Sequence, residues 1–320
     1  MLDASEYAAQ FHILRELPYK LAAGLAFTGA TALASVFCAL LTGSRGSLVA
    51  AVLVMGIATA IFAVTGQVGT HQVELNGLWR WVFAAQLAFL GVGGIWVLAL
   101  ACQQLLRRRD AESLLLFLWV SGTLVFAILV NWSVNGRSLL PLAPAAGLLL
   151  GFDSTLTDRR KKYLSAGLAL SGVLAGQVVL ADQSWASAAR DAAQRIHDEN
   201  PGHPVWFQGH WGFQYYMEML GAHPVDFSGS RFEPQDLLVV PHNNTNFMRS
   251  LLEMQGAAKT VAYDAKQWCT VNDRRAGAGF YSDWYGPLPF FIGKSFPDAY
   301  SIFRLRNAFQ FTPTGGRAPR

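Results

Sequence analysis

The stretch WVFAAQLAFLGVGGIWVLALAC, residues Trp81–Cys102, contains no Asp, Glu, Lys or Arg. An apolar segment of about 18 or more residues is long enough to cross a bilayer core of roughly 30 Å. This stretch therefore predicts a transmembrane helix. Similar segments fill the chain from Leu21 to about Ala181, whereas the chain from Asp182 onwards has the composition of an ordinary soluble domain.

Six uncharged segments are predicted to span the membrane. They are Leu21–Leu41, Ser47–Thr65, Trp81–Cys102, Leu114–Trp132, Ser138–Phe152 and Tyr163–Ala181. The fifth covers only about 23 Å at a rise of 1.5 Å per residue, so it must thin the bilayer, borrow flanking residues or lie partly re-entrant. The expected fold class is a multi-span α-helical membrane bundle of about six helices, followed by a small extracytoplasmic α/β domain.

The positions of Lys and Arg predict which loops face the cytoplasm. Arg107–Arg109 follows the third segment and Arg159–Lys162 follows the fifth, and such basic clusters are typical of cytoplasmic loops. By parity, both termini lie outside. We therefore expect a multi-pass protein of the cytoplasmic (inner) membrane, with the C-terminal domain extracytoplasmic.

The N-terminal residues 1–20 do not resemble a signal peptide, because no basic region is followed there by an apolar core. Their mixture of charged and polar side chains is typical of the end of an external loop. We expect an extracytoplasmic segment at 1–20 and a transmembrane domain at 21–181. We also expect that the chain is the C-terminal portion of a longer membrane protein, or that its true start lies upstream of Met1.

Composition agrees with a membrane protein. The chain is 52% hydrophobic and only 14% charged, whereas soluble domains carry about 25% charged residues. The sequence pI of about 9.0 reflects basic residues in the predicted cytoplasmic loops, where membrane lipid is the expected partner, and favours no nucleic-acid role. Of three cysteines only Cys269 falls in the outer domain, so no disulfide is expected there and Cys269 is interpreted as a plain thiol.

Residues 182–311 predict a small α/β domain, and residues 312–320 predict a disordered tail. The predicted helices are Ala186–Glu199, Phe213–Leu220 and Asn246–Gln255, and the predicted strands are Pro204–Gln208, Leu237–Val240, Thr260–Tyr263 and Tyr300–Leu305. Strands that alternate with helices favour a mostly parallel sheet. Within the first helix, Ala189, Ala192, Ala193 and Ile196 share one apolar face.

The sequence NGRSLLPLAP, Asn135–Pro144, places a single arginine at the start of the fifth segment. One interpretation is an interfacial Arg137 whose side chain reaches water, with prolines where early helix N–H groups have no partner. The other is an anion site, formed by Arg137 and the helix N-terminus and suited to the phosphate of a lipid carrier.

This Arg-x-Leu-Leu-Pro-x-x-Pro pattern, followed by an outer α/β domain, resembles the GT-C membrane glycosyltransferases. The branch concerned is the protein-mannosyltransferase-like group (glycosyltransferase family 39-like) that includes the bacterial aminoarabinose transferases. Gly209–Tyr216 and Gly279–Pro289 look similar to the outer domain of bacterial members.

The resemblance implies transfer of a sugar from a polyprenyl-phosphate carrier to a glycan, lipid or protein acceptor by an inverting displacement. In that family the catalytic acidic residue lies in the first external loop. Here Glu74 is the only carboxylate of the loop Gly66–Arg80, so the catalytic residue stays unassigned and the chain alone is expected to lack activity if that first loop is missing.

His210, Trp211, Tyr215 and Tyr216 are candidate contacts for a sugar or acceptor, because they follow a predicted strand and aromatic faces stack on sugars. Alternatively these aromatic residues fill the domain core or hold the domain to the membrane surface. No histidine pair has zinc-ligand spacing, so no metal is expected. No cofactor is evident, and the polyprenyl-phosphate-linked sugar is the expected donor substrate. The alternative function is a non-catalytic membrane scaffold whose outer domain binds an envelope component.

Overall fold

The computed structural model describes residues 13–42, 71–151, 158–244, 259–263 and 268–310, together with a few positions between 49 and 68. The chain forms two compact units. Met1–Ala181 and Gln267–Ser295 form the helical unit, and Asp182–Lys266 and Phe296–Arg320 form the sheet unit. The predicted domain 182–311 is therefore interrupted, since Gln267–Ser295 folds with the helices. The predicted helix Asn246–Gln255 and the predicted tail 312–320 lie outside the described residues.

Nine α-helices occur in the described part of the chain. They are α1 (Ile13–Thr31), α2 (Leu33–Thr42), α3 (Leu78–Arg108), α4 (Ala111–Val125), α5 (Gly136–Leu139), α6 (Ala143–Gly151), α7 (Asp158–Glu199), α8 (Trp211–Met219) and α9 (Ser282–Tyr285). A π-helical turn, Phe126–Val130, continues α4, and a 3₁₀ turn, Leu140–Leu142, joins α5 to α6. The strands of the described residues are β1 (Gln67–Val68), β2 (His71–Gln72), β3 (Val205–Phe207), β4 (His223–Pro224), β5 (Arg231–Phe232), β6 (Leu237–Pro241), β7 (Lys259–Tyr263), β8 (Cys269–Thr270), β9 (Phe291–Ile292), β10 (Asp298–Arg304) and β11 (Phe309–Gln310).

Three helical stretches among the described residues are long and apolar enough to cross a membrane. They are Leu78–Arg108, Ala111–Val130 and Leu164–Glu199. They overlap the third, fourth and sixth predicted spans. The second predicted span, Ser47–Thr65, lies almost wholly outside the described residues.

The first and fifth predicted spans are not single helices. The first, Leu21–Leu41, is divided between α1 and α2 at Ala32. The fifth, Ser138–Phe152, contains one turn of α5, the 3₁₀ turn and the nine-residue α6. Pro141 and Pro144 have no backbone N–H to donate, so a regular ladder of helical hydrogen bonds cannot run through this segment.

Glycines allow α1 and α3 to pack closely. A Cβ atom on Gly29 would overlap the backbone carbonyl of Leu90, and one on Gly94 would overlap the carbonyl of Leu25. A Cβ atom on Gly93 would likewise overlap the side chain of Val36 in α2. Small residues at a helix contact are typical of helices that associate in lipid, where van der Waals packing replaces the hydrophobic effect.

The segment Gln267–Ser295 packs on these helices. It contains the two-stranded β8 (Cys269–Thr270) and β9 (Phe291–Ile292) and the short α9. The amide side chain of Gln86 in α3 makes two hydrogen bonds to the backbone of Ile292, at 2.7 and 2.8 Å.

The sheet unit contains a five-stranded sheet in the order β4-β3-β6-β10-β7. Its strands are β3 (Val205–Phe207), β4 (His223–Pro224), β6 (Leu237–Pro241), β7 (Lys259–Tyr263) and β10 (Asp298–Arg304). Strand β3 is parallel to both β4 and β6, but β10 is antiparallel to both β6 and β7. Four of the five strands therefore run in the same direction, as expected of a mostly parallel sheet, and β10 alone runs the opposite way between β6 and β7.

Side chains from alternate positions of the strands form a core on each face of the sheet. On one face, the predicted apolar stripe of α7 is buried against β6, β7 and β10: Ala189, Ala192, Ala193 and Ile196 contact Val239, Val261 and Ile302. On the other, Leu238, Val240 and Phe303 pack with Phe232 and Leu305. The helical spacing of alanines in the sequence thus identified the buried face of α7.

We predict that Gly29→Ala lowers the free energy of unfolding by about 1–3 kcal/mol, because the added methyl group forces α1 away from α3. The measurement is an unfolding titration of the protein in mild detergent, followed by circular dichroism. Gly122→Ala in α4 is the matched control, since its Cβ would meet open space. It should be neutral or stabilising by at most about 1 kcal/mol. Equal losses for the two variants would contradict the close packing of α1 and α3.

Candidate functional site

The turn before α5 is held by a buried asparagine. Asn135 is the N-cap of α5, and its Oδ1 accepts hydrogen bonds from the backbone N–H of Ser138 at 2.9 Å and from the Ser138 hydroxyl at 3.1 Å. Its Nδ2 donates to the carbonyl of Ser133 at 3.1 Å. An asparagine is a strong N-cap because its short side chain reaches the free N–H groups of the first turn. The cap fixes Gly136 and Arg137 in that turn.

Arg137 is exposed, and its guanidinium carbon lies 5.4 Å from the centre of the Phe280 ring. A cation over an aromatic face is attracted by the negative charge of the ring face, so this contact orients the guanidinium while its N–H groups stay available. None of the described carboxylates forms an ion pair with Arg137. The arginine thus offers free donors at a fixed position.

The helix dipole adds little to the positive charge at Arg137. The predicted anion site combined the arginine with the helix N-terminus of the fifth predicted span, but α5 ends after Leu139 and a 3₁₀ turn follows. A helix dipole needs aligned peptide groups over several turns. The positive charge at this position therefore comes from the guanidinium itself.

Two of the three stretches that carry the glycosyltransferase resemblance contact each other. Asn135 forms an antiparallel β-bridge with Tyr281, and the Tyr281 ring lies 4.9 Å from the ring of Trp132. Together with the contact between Arg137 and Phe280, these contacts join Arg137–Pro144 to Gly279–Pro289. The third stretch, Gly209–Tyr216, belongs to the sheet unit.

A cluster of polar side chains lies beside this bridge. Asp283 faces Lys20 of α1, with 4.0 Å between Oδ2 and Nζ. Its backbone N–H donates to the hydroxyl of Ser133 at 3.2 Å, and its Oδ1 accepts from Ser282 at 3.2 Å. Lys20 also donates to the carbonyl of Trp132 at 3.2 Å. The neighbouring hydroxyl of Tyr19 donates to the carbonyl of Ser282 at 2.5 Å.

Burial of Asp283 raises the pKa of its carboxyl group above the ordinary value, because a charged carboxylate loses hydration in the protein interior. The nearby Lys20 opposes this shift and lowers the pKa, whereas Glu16 adds a like charge and raises it. The sequence analysis quoted Asp283 within Gly279–Pro289 but assigned it no role. The sequence signal that could have identified Asp283 is its position as the single carboxylate in an aromatic stretch.

An apolar cavity of about 620 Å³ opens beside Gly136. It lies between the α1–α2 break, α6 and the first half of α7, and Phe27, Leu150, Leu168 and Phe290 line its wall. Among the described residues of this wall none is charged, and the polar side chains are Thr31 and Ser171. This volume is within the range of about 300–1,000 Å³ that is typical of ligand pockets.

The candidate contacts in the sheet unit divide into exposed and core residues. Trp211 and Tyr215 are exposed on α8, whereas Tyr216 packs against the core under the sheet. The backbone N–H of His210 donates to Asn244 at 2.9 Å, and its ring Nδ1 lies 3.1 Å from Gln214. Trp211 and Tyr215 are thus open to a ligand, Tyr216 has the core role that the alternative interpretation describes, and sugar binding stays a prediction.

Trp211 has an unusual backbone. Its φ is 61°, in the left-handed region that favours glycine, and it follows Gly209, whose φ is 100°. Conformations of this kind cost about 1–3 kcal/mol and concentrate at functional sites. They occur here just after β3, at the carboxyl end of a parallel strand, where ligands of α/β proteins often bind.

The remaining candidate residues are isolated. Glu74 is exposed, and its backbone N–H donates to the carbonyl of Arg275 at 2.9 Å. Cys269 is buried, and burial raises the pKa of its thiol to about 11, which keeps the thiol protonated and unreactive at neutral pH. Within the described ranges, no group of three His, Cys, Asp or Glu side chains is placed to hold a metal ion.

No protein-family model matches this chain, and no curated protein and no solved structure matches it. Arg137 and the cavity are therefore the features from which a function is inferred.

We predict that Asn135→Ala destabilises the helical unit by about 1–2 kcal/mol, because it removes the α5 cap and leaves buried polar groups without partners. Thermal unfolding in detergent measures the loss. Asn135→Ser keeps an acceptor for the cap and loses only the amide donor, so its loss should be smaller. Equal losses for the two variants would show that the cap contributes nothing.

Proposed function

We propose that this chain is the C-terminal part of a GT-C-like membrane glycosyltransferase, which moves a sugar from a polyprenyl-phosphate carrier to an acceptor at the outer face of the cytoplasmic membrane. The observation that carries the proposal is the position of Arg137. A free guanidinium lies directly after Gly136, which lines an apolar cavity. A polyprenyl phosphate has the matching chemistry, with an anionic group on a long hydrocarbon chain.

The phosphate of the carrier binds to Arg137 in this proposal. A guanidinium offers paired N–H donors that match the oxygens of a phosphate, and such charge-assisted hydrogen bonds are among the strongest in proteins. The ring of Phe280 beneath the guanidinium holds it in place for this contact. When the sugar leaves its carrier, negative charge grows on the phosphate, and Arg137 stabilises that charge.

The hydrocarbon chain of the carrier occupies the cavity. Burial of isoprene units against Phe27, Leu150 and Leu168 stabilises the complex by about 25 cal/mol for each Å² of apolar surface removed from water. The cavity is bounded partly by α6, where Gly147 leaves open space. Residue size at Gly147 therefore controls how much of the chain enters.

The topology that belongs to this proposal has six spans. The basic groups at Arg107–Arg109 and Arg159–Lys162 face the cytoplasm, and Arg137 lies at the opposite surface. The sheet unit is then extracytoplasmic, and its exposed Trp211 and Tyr215 contact the sugar or the acceptor by stacking.

We predict that Arg137→Ala weakens the binding of undecaprenyl phosphate by at least about tenfold, because a hydrogen bond to a charged group contributes about 1.5–3 kcal/mol. Native mass spectrometry of the protein in detergent measures the bound fraction. Arg274→Ala is the matched control, since Arg274 also lies over an aromatic ring, 4.9 Å from Trp284. If Arg137→Ala binds the carrier like the unmodified protein, the phosphate site is elsewhere.

We predict that Gly147→Leu also removes binding of undecaprenyl phosphate, because the new side chain fills the cavity from α6. Helix stability should not fall, since leucine favours helices more than glycine does. Gly122→Leu makes the same change in α4 at a position with open space and outside the cavity wall. Its binding should be normal. Retained binding in Gly147→Leu would exclude the cavity as the site of the hydrocarbon chain.

The same preparations distinguish the enzyme from the non-catalytic alternative. Labelled polyprenyl-phosphate mannose, glucose and aminoarabinose, each supplied with bacterial membrane lipids, test transfer directly. Binding of the carrier without transfer of any of the three sugars would favour a scaffold that recognises lipid-linked sugars.

A further inference from the structure

We infer that Trp185 and Trp211 form an anchor that inserts into the lipid headgroup layer of the membrane, at the level where α7 leaves the bilayer. The partner of this surface is the lipid itself. The inference goes beyond the proposed function, because it depends on α7 as a membrane-spanning helix and not on the lipid carrier.

The height of Trp185 above the membrane follows from the length of α7. The uncharged part of this helix, from Leu164 to Ala181, rises by about 27 Å and so fills most of a hydrocarbon core of roughly 30 Å. Trp185 follows one turn later, about 6 Å beyond Ala181. The headgroup layer on each side of the core is roughly 5–8 Å thick, so Trp185 lies within it.

Trp211, at the start of α8, lies beside Trp185. The centres of the two rings are 6.2 Å apart in an edge-to-face arrangement. Trp185 is half-buried, whereas Trp211 is 40% exposed. Because the rings are neighbours, Trp211 lies at about the same height as Trp185. The sheet unit thus presents two indoles at one level.

The rest of α8 leads away from this level. Its start contacts Trp185, whereas its end, at Met217, lines a small cavity together with Ile196 near the end of α7. The two helices therefore run side by side in the same direction, away from the border of the hydrocarbon core. One and two turns further along α8, Tyr215 and Met219 are about 6 and 12 Å higher. The anchor is therefore confined to the two tryptophans.

Tryptophan suits the headgroup layer because its ring is apolar and its N–H group is polar, and indoles are enriched at membrane surfaces for this reason. Trp211 keeps a left-handed φ of 61°, which a tryptophan adopts only at a cost. Contact between its exposed ring and lipid offsets that cost. A polyprenyl-linked sugar lies in the same layer, so the sugar contact proposed for Trp211 is compatible with this position.

The test uses the full 320-residue chain in nanodiscs of phosphatidylcholine and phosphatidylglycerol, with a single copy in each disc and the native cysteines replaced by alanine. One new cysteine carries an NBD fluorophore. Gly212→Cys places the fluorophore beside Trp211. Gly229→Cys is the matched control, since both glycines are exposed and leave room for a side chain. Gly229 lies near Phe227, which packs on the opposite face of the sheet.

Lipids that carry a nitroxide on the headgroup quench the fluorophore only at close range. We expect strong quenching at position 212 and little at position 229. Trp211→Gly should lower the quenching at position 212 severalfold, because loss of the exposed apolar surface shifts the docking equilibrium by about tenfold or more. Met219→Ala, which removes an exposed apolar side chain higher on α8, should leave the quenching unchanged.

Two further measurements separate docking from folding. Glycine adopts the left-handed φ at position 211 without strain, which offsets the lost ring contact. The melting temperature of Trp211→Gly in detergent should therefore stay close to that of the unmodified chain. Trp211→Tyr should keep most of the quenching, since tyrosine is also enriched at membrane surfaces.

Three outcomes would overturn the anchor: equal quenching at positions 212 and 229, quenching that Trp211→Gly leaves unchanged, or an equal loss of quenching with Met219→Ala. A shift of the NBD emission to shorter wavelength at position 212 without quenching would show that protein, and not lipid, covers the two tryptophans. Binding of undecaprenyl phosphate is measured separately, so failure of the anchor leaves the proposed function standing.

Discussion

The buried turn Ser133–Asn135 satisfies only some of its polar groups by itself, and this constraint determines the site. Ser133 and Asn135 are nearly inaccessible to water, where an unpaired polar group costs about 1–3 kcal/mol. Partners come from about 150 residues later in the chain: the N–H of Ser282 donates to the carbonyl of Val134 at 3.0 Å, and the N–H of Asp283 donates to Ser133. These bonds hold Gln267–Ser295 on the helices. They also place Asp283 and the ring of Phe280 beside the turn that carries Arg137.

Local patterns predicted much of the fold. The uncharged segments located three long apolar helices, and the alanine spacing of α7 located its buried face, because both signals depend only on side chains a few residues apart. The direction of β10 was not predictable in this way. Alternation of buried and exposed residues indicates that a strand has an inner face, but gives no information about which strand it pairs with or in which direction.

The site was predictable in part for the same reason. Arg137 stood out as one charge beside an apolar segment, so its sequence neighbours were sufficient. Asp283 and Lys20 are 263 positions apart, so local sequence patterns could not indicate that they pair. The burial that raises the pKa of Asp283 is likewise a property of the folded chain. The cavity could not be predicted from the sequence either, because its wall combines residues from five helices and from Gln267–Ser295. The interruption of the fifth predicted span near Pro141 and Pro144 also matters for the site. The 3₁₀ turn there separates Arg137 from the part of α6 that borders the cavity.

Trp211 occupies a backbone conformation in which glycine or asparagine would be the less strained residue. A chain selected for stability alone would not retain an indole there. Trp211 is 40% exposed, and the centres of its ring and the ring of Trp185 are 6.2 Å apart in an edge-to-face arrangement, so a large aromatic surface is what this position supplies. The unfavourable backbone conformation just after β3 thus places a flat, rigid and amphipathic side chain on the surface of the sheet unit.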